Sequence, residues 1–241
     1  MTAENPHTSP SPSIPEHADF LEATRASYDA IAPAYTEAFS DWPADSAPLD
    51  RSLVTVFAEL AGEHAPAPVA DLGSGPGYIT ARLDALGVPV FGVDLSPRMV
   101  ALARRAHPEL RFHVGSMTSL DLPDATLGGI VALYSIIHVP DDHLPATFAE
   151  FHRVLVPGAP LLLGFQTGDT EDHLHLSERF GQEITLDYYW RTPDTVIAHL
   201  TEAGLRLSAR IVREPDGEEK RPRAFLLAEK PRGCFRPSDH T

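Results

Sequence analysis

The segment 69–78 reads VADLGSGPGY, in which Gly73, Gly75 and Gly77 alternate directly after a short apolar run. Glycine adopts positive φ without steric cost and carries no Cβ, so a ligand can approach the main chain closely at such a turn. The apolar run predicts a buried strand before the turn, and Ile79 and Leu83 predict an amphipathic helix after it. A glycine-rich turn between a strand and a helix is typical of sites that bind nucleotide-like ligands.

The spacing of the glycines separates two classes of ligand. A dinucleotide fingerprint of the form G-x-G-x-x-G requires a small residue at the position of Tyr78, whose bulk opposes close packing of strand and helix. Asp71 is unfavourable beside a pyrophosphate. It suits a ligand that carries sulfonium and ammonium groups, because opposite charges attract more strongly in a partly desolvated cleft. Spacing and charge therefore favour S-adenosylmethionine over a dinucleotide.

Asp94 ends the second predicted strand and offers a carboxylate beside the glycine turn. Its two oxygens can accept hydrogen bonds from both hydroxyls of a ribose, in a dinucleotide as well as in S-adenosylmethionine. An acidic residue at a strand end can also simply cap the next helix, which Ser96 and Pro97 are predicted to begin. The interpretation of Asp94 as a ribose ligand therefore depends on the glycine turn.

Short apolar or β-branched runs alternate with amphipathic stretches along most of the chain. The strands predicted from this pattern are 69–72, 88–93, 110–114, 129–134, 159–165, 205–212 and 224–228. Strands that alternate with helices predict an α/β fold, with a doubly wound, mostly parallel sheet and helices on both faces. In such a sheet the ligand lies at the carboxyl ends of the strands, where the strand order reverses. The last two strands are expected to pair as a hairpin.

The remaining segments are arranged around this sheet. Residues 1–15 are rich in Pro, Ser and Thr and predict a disordered tail, because they bury too little apolar surface to offset the entropy of ordering. Residues 16–64 predict helices that precede the sheet, and 16–241 a single domain. Residues 167–191 form a long insertion on the ligand side, typical of a lid or a substrate wall. Residues 213–223 are interpreted as a solvated connection without a function.

The chain resembles the class I S-adenosylmethionine-dependent methyltransferases of the small-molecule type, over roughly Tyr28 to Lys230. The resemblance is carried by the segment 71–77, by Asp94, and by the sequence RVLVPG at 153–158 before the fifth strand. It implies a seven-stranded sheet whose last strand is antiparallel, N-terminal lid helices, and S-adenosylmethionine as the cofactor.

The same resemblance implies a role for individual residues. The implied cofactor contacts are Tyr28 on the lid, Asp71, Gly73, Gly75 and Gly77 on the turn, Asp94 at the ribose, Leu95, Met99, Ser116 and Met117 around the adenine, and Leu133 after the fourth strand. The family often has an acidic residue for the adenine amino group at the position of Ser116, so the departure weakens this contact. Met117 still offers backbone hydrogen bonds and a side-chain face to the ring. Tyr28 is preferred to Tyr35 as the tyrosine that closes over the cofactor.

Tyr134 and His138 follow the fourth predicted strand, where the family places residues of the methyl-transfer pocket, and both are candidates for catalysis. The imidazole of His138 titrates near neutrality when unperturbed, so it could take a proton from an acceptor hydroxyl or amine. A lone histidine can equally be structural. Holding the acceptor in line with the methyl group lowers the barrier by itself, so an amine acceptor needs no dedicated base.

His173 and His175 lie in the insertion and would project to the same side of a strand, as a pair of metal ligands can. No further ligands at a familiar spacing accompany them, so we expect a structural role and no metal site. The aromatic run Tyr188–Trp190 in the same insertion has two open interpretations, core packing and substrate contact.

Charge and composition narrow the partners. Lys and Arg total 19 against 34 Asp and Glu, and the resulting net charge of -15 repels phosphate backbones and anionic headgroups. Neither nucleic acid nor a membrane is therefore an expected partner, and no apolar run is long enough for a bilayer. The single cysteine, Cys234, cannot form an internal disulfide, which favours the cytoplasm. The oligomeric state stays open.

The sequence thus favours transfer of a methyl group from S-adenosylmethionine to an oxygen, nitrogen or sulfur atom of a small-molecule acceptor. The run Leu133 to Ile136 lacks the Asn- or Asp-Pro-Pro-aromatic motif that grips the amino nitrogen of a nucleobase. Two alternatives remain, a nicotinamide-dependent oxidoreductase and a non-catalytic S-adenosylmethionine-binding sensor or interaction module.

Overall fold

The structure is a computed structural model that describes residues 19–39 and 48–232. The predicted tail 1–15 and Cys234 lie outside these residues. The helices are α1 (Asp19–Ala38), α2 (Pro48–Gly62), α3 (Tyr78–Ala85), α4 (Pro97–Ala106), α5 (Leu144–Val154) and α6 (Pro193–Glu202), with a short 3₁₀ helix at Ile136–His138. The strands are β1 (Val69–Leu72), β2 (Val90–Asp94), β3 (Arg111–Val114), β4 (Gly129–Leu133), β5 (Pro160–Gln166), β6 (Asp172–Arg179), β7 (Gln182–Trp190), β8 (Arg206–Arg213) and β9 (Arg223–Glu229).

Seven of these strands form one sheet in the order β3-β2-β1-β4-β5-β9-β8. The strands β1 to β5 pair in parallel, and β9 runs antiparallel between β5 and β8. The predicted doubly wound sheet with an antiparallel last strand is confirmed, as is the hairpin of the two late strands. The order reverses between β1 and β4, and a ligand cleft is expected at the carboxyl ends of these strands.

Helices cover the sheet on both faces because alternate residues of the central strands point in opposite directions. Val69 and Val131 pack with Phe57 of α2 and Leu83 of α3 on one face. Ala70 and Ile130, one position along on the same strands, pack on the other face. The large side chains on that second face include Ile31, Phe148, Phe151, Val196 and Leu200, from α1, α5 and α6. The central strands are thus buried on both sides, which explains their continuous apolar runs.

The insertion at 167–191 contains a two-stranded antiparallel sheet, β6–β7, apart from the main sheet. The sequence analysis did not predict these strands. Most of β6 is exposed, whereas in β7 the alternating residues Ile184, Leu186 and Tyr188 are buried. Phe180 and Gly181 both have positive φ, at 53° and 72°, and make the tight turn that pairs Arg179 with Gln182. This combination is typical of a two-residue hairpin loop.

Helix α1 lies across the insertion and the ligand side of the sheet. The Ser27 hydroxyl donates to the carbonyl of Thr185 on β7 at 2.9 Å and accepts from the N–H of the same residue at 3.0 Å. At the other side of α1, Asp29 Oδ1 accepts hydrogen bonds from Ser96 Oγ at 2.6 Å and from the Arg98 N–H at 3.0 Å. The helix is therefore held at both the insertion and α4. Among the described helices, none has the length and apolar character needed to cross a bilayer.

Candidate functional site

The glycine turn brings the ends of β1 and β4 into close contact. Gly73 has φ of 78°, and a Cβ on this residue would lie 2.3 Å from Cβ of Ser135, just after β4. The Ser135 hydroxyl donates to the Leu72 carbonyl at 2.8 Å. Gly75 also has positive φ, at 50°, but a Cβ there would meet no atom within 4 Å. Glycine at 73 is thus required by the fold, whereas glycine at 75 leaves open space in front of the turn.

A first cavity occupies this space, at the carboxyl ends of β1 to β4 and beneath α1. The predicted cofactor contacts that line the first cavity are Tyr28, Gly73, Gly75, Asp94, Leu95, Met99, Ser116, Met117 and Leu133. The two predicted catalytic residues, Tyr134 and His138, also lie in its wall. The fold therefore brings residues from five separate segments of the chain to one cavity.

Asp94 lies at the centre of the first cavity wall, with 9% of its surface exposed. Its Oδ2 accepts from the Gly75 N–H at 2.7 Å and its Oδ1 from the Ser96 N–H at 2.8 Å. Burial raises the pKa of Asp94 to about 6, although the two N–H groups oppose the shift. Each carboxylate oxygen keeps a second lone pair, which can accept a hydrogen bond from a ribose hydroxyl.

Asp71 and Gly77 are the two predicted cofactor contacts that the first cavity does not include. The Thr80 hydroxyl donates to Asp71 Oδ2 at 2.6 Å, and burial raises the pKa of Asp71 to about 7. Asp71 lies instead in the wall of a second cavity, described below. Gly77 precedes α3, and a Cβ there would lie 2.7 Å from the ring of Phe112. In the described structure its missing side chain makes room for Phe112.

His138 joins helix α1 to the insertion through both of its ring nitrogens. Nδ1 lies 2.8 Å from the carbonyl oxygen of Asp187, which can only accept, so Nδ1 carries the proton. Nε2 lies 2.8 Å from the hydroxyl oxygen of Tyr28 and accepts a hydrogen bond from this hydroxyl. Burial lowers the pKa of His138 to about 4, which keeps the imidazole neutral at pH 7. The lone pair of His138 is therefore directed at Tyr28.

Tyr134 occupies a strained position at the end of β4. Its φ is 57°, a conformation that residues with a side chain seldom adopt, and β4 therefore ends at Leu133, one residue before the predicted end. The Tyr134 N–H donates to the Gly164 carbonyl at 2.6 Å, which holds the turn in place. The side chain lies in the walls of both cavities. Such strain is often found where a side chain must be directed into a site.

A second cavity adjoins the first and shares Tyr28, Tyr35, Gly73, Gly75, Leu133 and Tyr134 with it. Its other aromatic walls are Phe39, Tyr78 and Tyr188, and its polar walls include Asp50, Gln166, Arg179, Glu219 and Arg223. Two connected cavities, one at the glycine turn and one with aromatic walls, can hold two ligands next to each other. Tyr28 and Tyr134 stand at the boundary between them.

The connection at 213–223 is only partly the solvated segment that its charge indicates. Residues 214–218 are exposed. Arg213, however, is nearly buried and binds Asp50 through two hydrogen bonds at 2.9 and 3.0 Å, while it also pairs with Glu219. Glu219 and Arg223 reach the second cavity. This connection therefore fixes the start of α2 and forms part of a cavity wall.

The two histidines of the insertion contact a carboxylate. His173 Nε2 and His175 Nδ1 lie 2.8 and 2.9 Å from the same oxygen of Asp187. Within residues 19–39 and 48–232, no group of three or more His, Cys, Asp or Glu side chains is arranged to hold a metal ion. In the aromatic run of β7, Tyr188 is buried in the core, and it also lines the second cavity.

Sequence reasoning missed the first turns of α1. Phe20, Leu21 and Thr24 line the first cavity together with Tyr28 and Tyr35. Leu21, Thr24, Tyr28 and Tyr35 recur at spacings of three, four and seven residues, which places them on one face of a helix. That periodicity was available in the sequence, but only the packed helix shows which face meets the cavity.

Comparison with known proteins agrees with this geometry. Residues 69–158 match a family model described as a methyltransferase domain. A demethylmenaquinone methyltransferase of Chlorobaculum parvum is 34% identical over 101 residues, which are 42% of this chain and 41% of that protein. The chain thus spans less than half the length of this curated relative.

Solved structures resemble most of the fold. The glycopeptide N-methyltransferase MtfA, in complex with S-adenosylmethionine, has a TM-score of 0.59 at 19% identity and covers 74% of this chain and 94% of its own. The cyclase SpnF has a TM-score of 0.69 at 16% identity, over 88% of this chain and 97% of its own. At these identities the likeness concerns the fold alone. The family match over residues 69–158, the sheet order and the glycine turn together make the chain similar to the class I S-adenosylmethionine-dependent methyltransferases.

Proposed function

We propose that this protein transfers the methyl group of S-adenosylmethionine to an oxygen, nitrogen or sulfur atom of a small-molecule acceptor. The observation that carries the proposal is the pair of adjoining cavities, one at the glycine turn with Asp94 and one with aromatic walls, which meet at Tyr28 and Tyr134. The first would hold the cofactor and the second the acceptor. The sequence has a single cysteine and so no internal disulfide, which favours a cytoplasmic site of action.

The residues of the first cavity fit this cofactor chemically. The open space in front of Gly75 admits a ligand against the main chain, which a Cβ would obstruct. Asp94 has free lone pairs for a ribose, and the thioether side chains of Met99 and Met117 offer polarizable surfaces to a flat ring. Asp71 lies in the wall of the adjoining second cavity and supplies a carboxyl group suited to an ammonium or sulfonium group.

Bound S-adenosylmethionine would supply an electrophilic methyl group, which the acceptor takes with its own lone pair while the carbon–sulfur electron pair stays on sulfur. The protein would contribute by orienting the acceptor and by excluding water. Helix α1 and the insertion cover both cavities and could exclude water from them. Since His138 Nε2 faces Tyr28, a proton from a hydroxyl acceptor would pass to the Tyr28 oxygen while the Tyr28 proton passes to His138. His138 is thus proposed as a positioning residue that acts through Tyr28.

The relatives support this proposal without naming the acceptor. One is named for demethylmenaquinone and one for a glycopeptide nitrogen, which are chemically different acceptors. Acceptor choice must therefore depend on residues outside the shared turn. Two observations disfavour the oxidoreductase alternative: Tyr78 occupies the place of the third glycine, and its hydroxyl donates to the Thr36 carbonyl of α1 at 2.9 Å.

The test is calorimetric titration of the protein with S-adenosylmethionine and with S-adenosylhomocysteine, with NAD in parallel. We expect one saturable site for each adenosyl ligand and none for NAD. Asp94→Ala should weaken binding at least tenfold, whereas Asp84→Ala, on the exposed side of α3, should leave it unchanged. NAD binding in place of the adenosyl ligands would overturn the proposal.

A second arm separates an enzyme from a sensor that binds the cofactor without chemistry. The protein is incubated with labelled S-adenosylmethionine and a panel of phenols, amines, thiols and carboxylic acids, and S-adenosylhomocysteine is quantified. A methyltransferase releases it in an acceptor-dependent way. Binding with no turnover on any member of the panel would favour the sensor.

A further inference from the structure

Arg179 ends β6 at the turn of the insertion hairpin, and it lines the second cavity. The positive φ of Phe180 and Gly181 turns the chain directly after it. The side chain is half-buried, and its Nη1 donates to the hydroxyl of Tyr188 at 2.5 Å. The guanidinium carbon lies 5.7 Å from the ring centre of Tyr35 and 5.1 Å from that of Phe180. Three aromatic residues therefore hold the guanidinium group in place.

The positive charge of Arg179 lacks a carboxylate partner among residues 19–39 and 48–232. The neighbouring Arg213 and Arg223 both pair with Glu219, and Arg213 also pairs with Asp50, so these two charges are compensated by two carboxylates. Asp71, on the same cavity, accepts from Thr80. An arginine whose remaining N–H donors face a partly desolvated cavity gains most from an anion with two acceptor oxygens, which matches the planar guanidinium fork.

The residues that line the cavity next to Arg179 indicate the shape and polarity of the ligand, in addition to its charge. Tyr28, Tyr35, Tyr134 and Tyr188 line the second cavity together with Phe39. Aromatic walls favour a flat apolar body, because ring pairs add to the energy of area burial. Tyr188 links Arg179 to the Tyr28–His138 pair, since its hydroxyl accepts from Arg179 while its ring lies 4.6 Å from that of His138.

We propose that the acceptor is a small aromatic carboxylate, whose carboxylate binds Arg179 and whose methyl-accepting group lies beside Tyr28 about one aromatic ring away. The inference rests on the methyltransferase function proposed above and narrows its substrate class. Arg179 is then the residue that determines acceptor specificity. The insertion hairpin is the element that carries this residue over the cavity.

The test compares acids with their methyl esters. The full-length protein, saturated with S-adenosylhomocysteine, is titrated with 4-hydroxybenzoate, 4-hydroxyphenylacetate and the methyl ester of each. We expect at least one acid to bind ten times or more as tightly as its ester, because a bidentate charge-assisted pair contributes more than a neutral hydrogen bond. Arg179→Gln should remove this preference, and Arg105→Gln, on an exposed position of α4, should retain it. The affinity for S-adenosylhomocysteine should be the same in all three proteins.

Two results would overturn the proposal. The first is a wild-type protein that binds S-adenosylhomocysteine but binds acids no better than esters, and this result requires no variant to fold. The second is an Arg179→Gln protein that loses affinity for S-adenosylmethionine yet keeps it for decarboxylated S-adenosylmethionine, which would assign Arg179 to the carboxylate of the cofactor. If the protein binds neither S-adenosylmethionine nor S-adenosylhomocysteine, the proposed function is rejected instead. The comparison of acids with esters on the free protein would then still decide whether Arg179 forms an anion site.

Discussion

The hydroxyl of Tyr28 lies 2.8 Å from Nε2 of His138, although 110 residues separate them in the chain. The bond joins helix α1 to the segment after β4, on the boundary of the two cavities. Because the second nitrogen of the imidazole is bound to the Asp187 carbonyl, the ring has one tautomer and one direction for its lone pair. A histidine that the sequence analysis treats as a free base is thus coupled to helix α1.

Tyr28→Phe removes the hydroxyl and keeps the ring. We expect kcat with a hydroxyl acceptor to fall about 10²-fold, within the range for loss of a proton-transfer group, while the affinity for S-adenosylmethionine changes little. Tyr35→Phe is the matched control, because Tyr35 lines the same cavities but does not contact His138. Nitrogen chemical shifts of the His138 ring give a measure that needs no acceptor: wild type should show a protonated Nδ1 and a bare Nε2. Equal losses of activity in the two variants would rule out this role for the hydroxyl.

Asp29→Ala should loosen helix α1 at its α4 end. The variant loses the hydrogen bonds from Ser96 Oγ and the Arg98 N–H, a change comparable to the loss of a helix cap, about 1 kcal/mol. We expect faster cleavage of α1 by a dilute protease and an affinity for S-adenosylmethionine lowered about fivefold. Glu22→Ala, which removes only an exposed ion pair with Arg25, should change neither. Unchanged proteolysis in Asp29→Ala would show that the other contacts of α1, among them Ser27–Thr185 and the burial of Ile31, are sufficient to hold the helix.

Asp71→Asn should change how stability depends on pH. Burial raises the pKa of Asp71 from 3.8 to about 7, so between these values the folded protein holds a proton that the unfolded chain has released. The contribution of this group to the free energy of unfolding therefore falls as the pH rises through this window. The variant lacks the effect, and its stability relative to wild type should increase from pH 5 to pH 7, by up to about 1.4 kcal/mol per pH unit. Urea unfolding at several pH values measures this difference, with Asp84→Asn as control. A difference that does not vary with pH would contradict the raised pKa.

Gly75→Ala tests whether cofactor binding can be lost while the turn still folds. The Cβ meets no atom within 4 Å, so the variant should fold, with a cost of about 1 to 2 kcal/mol for positive φ at alanine. The methyl group occupies the space proposed for the cofactor, and we expect the affinity for S-adenosylmethionine to fall more than tenfold. Gly87→Ala introduces the same strain, at φ of 81° and also with no atom within 4 Å, far from both cavities. Equal affinities in these two variants would place the cofactor elsewhere.

The glycine turn, Asp94 and the alternation of strands with helices could be predicted from the sequence because each depends on local chemistry. Positive φ at Gly73, the apolar run of β1 and the Ser96 cap are decided by neighbours in the chain. The parallel sheet follows from that alternation, and the cleft follows from the sheet. For this reason most of the predicted cofactor contacts lie in one cavity.

What the tertiary structure alone decided are relationships between distant segments. The residues next to His138 in the sequence do not indicate that its Nε2 accepts a hydrogen bond from Tyr28. In the same way, the sequence does not indicate that Thr80 donates to Asp71 or that the ring of Phe112 fills the space at Gly77. In the insertion, β6 is mostly exposed and gives a weak pattern, but the alternation of Ile184, Leu186 and Tyr188 in β7 was a strand signal that the sequence analysis missed. In the sequence, nothing distinguishes Arg179 from the other charged residues. Only the folded hairpin brings Arg179 to an aromatic cavity, where the guanidinium group has no carboxylate partner among the described residues. Periodicity records burial against the main sheet, whereas the environment of a polar group depends on which segments pack around it.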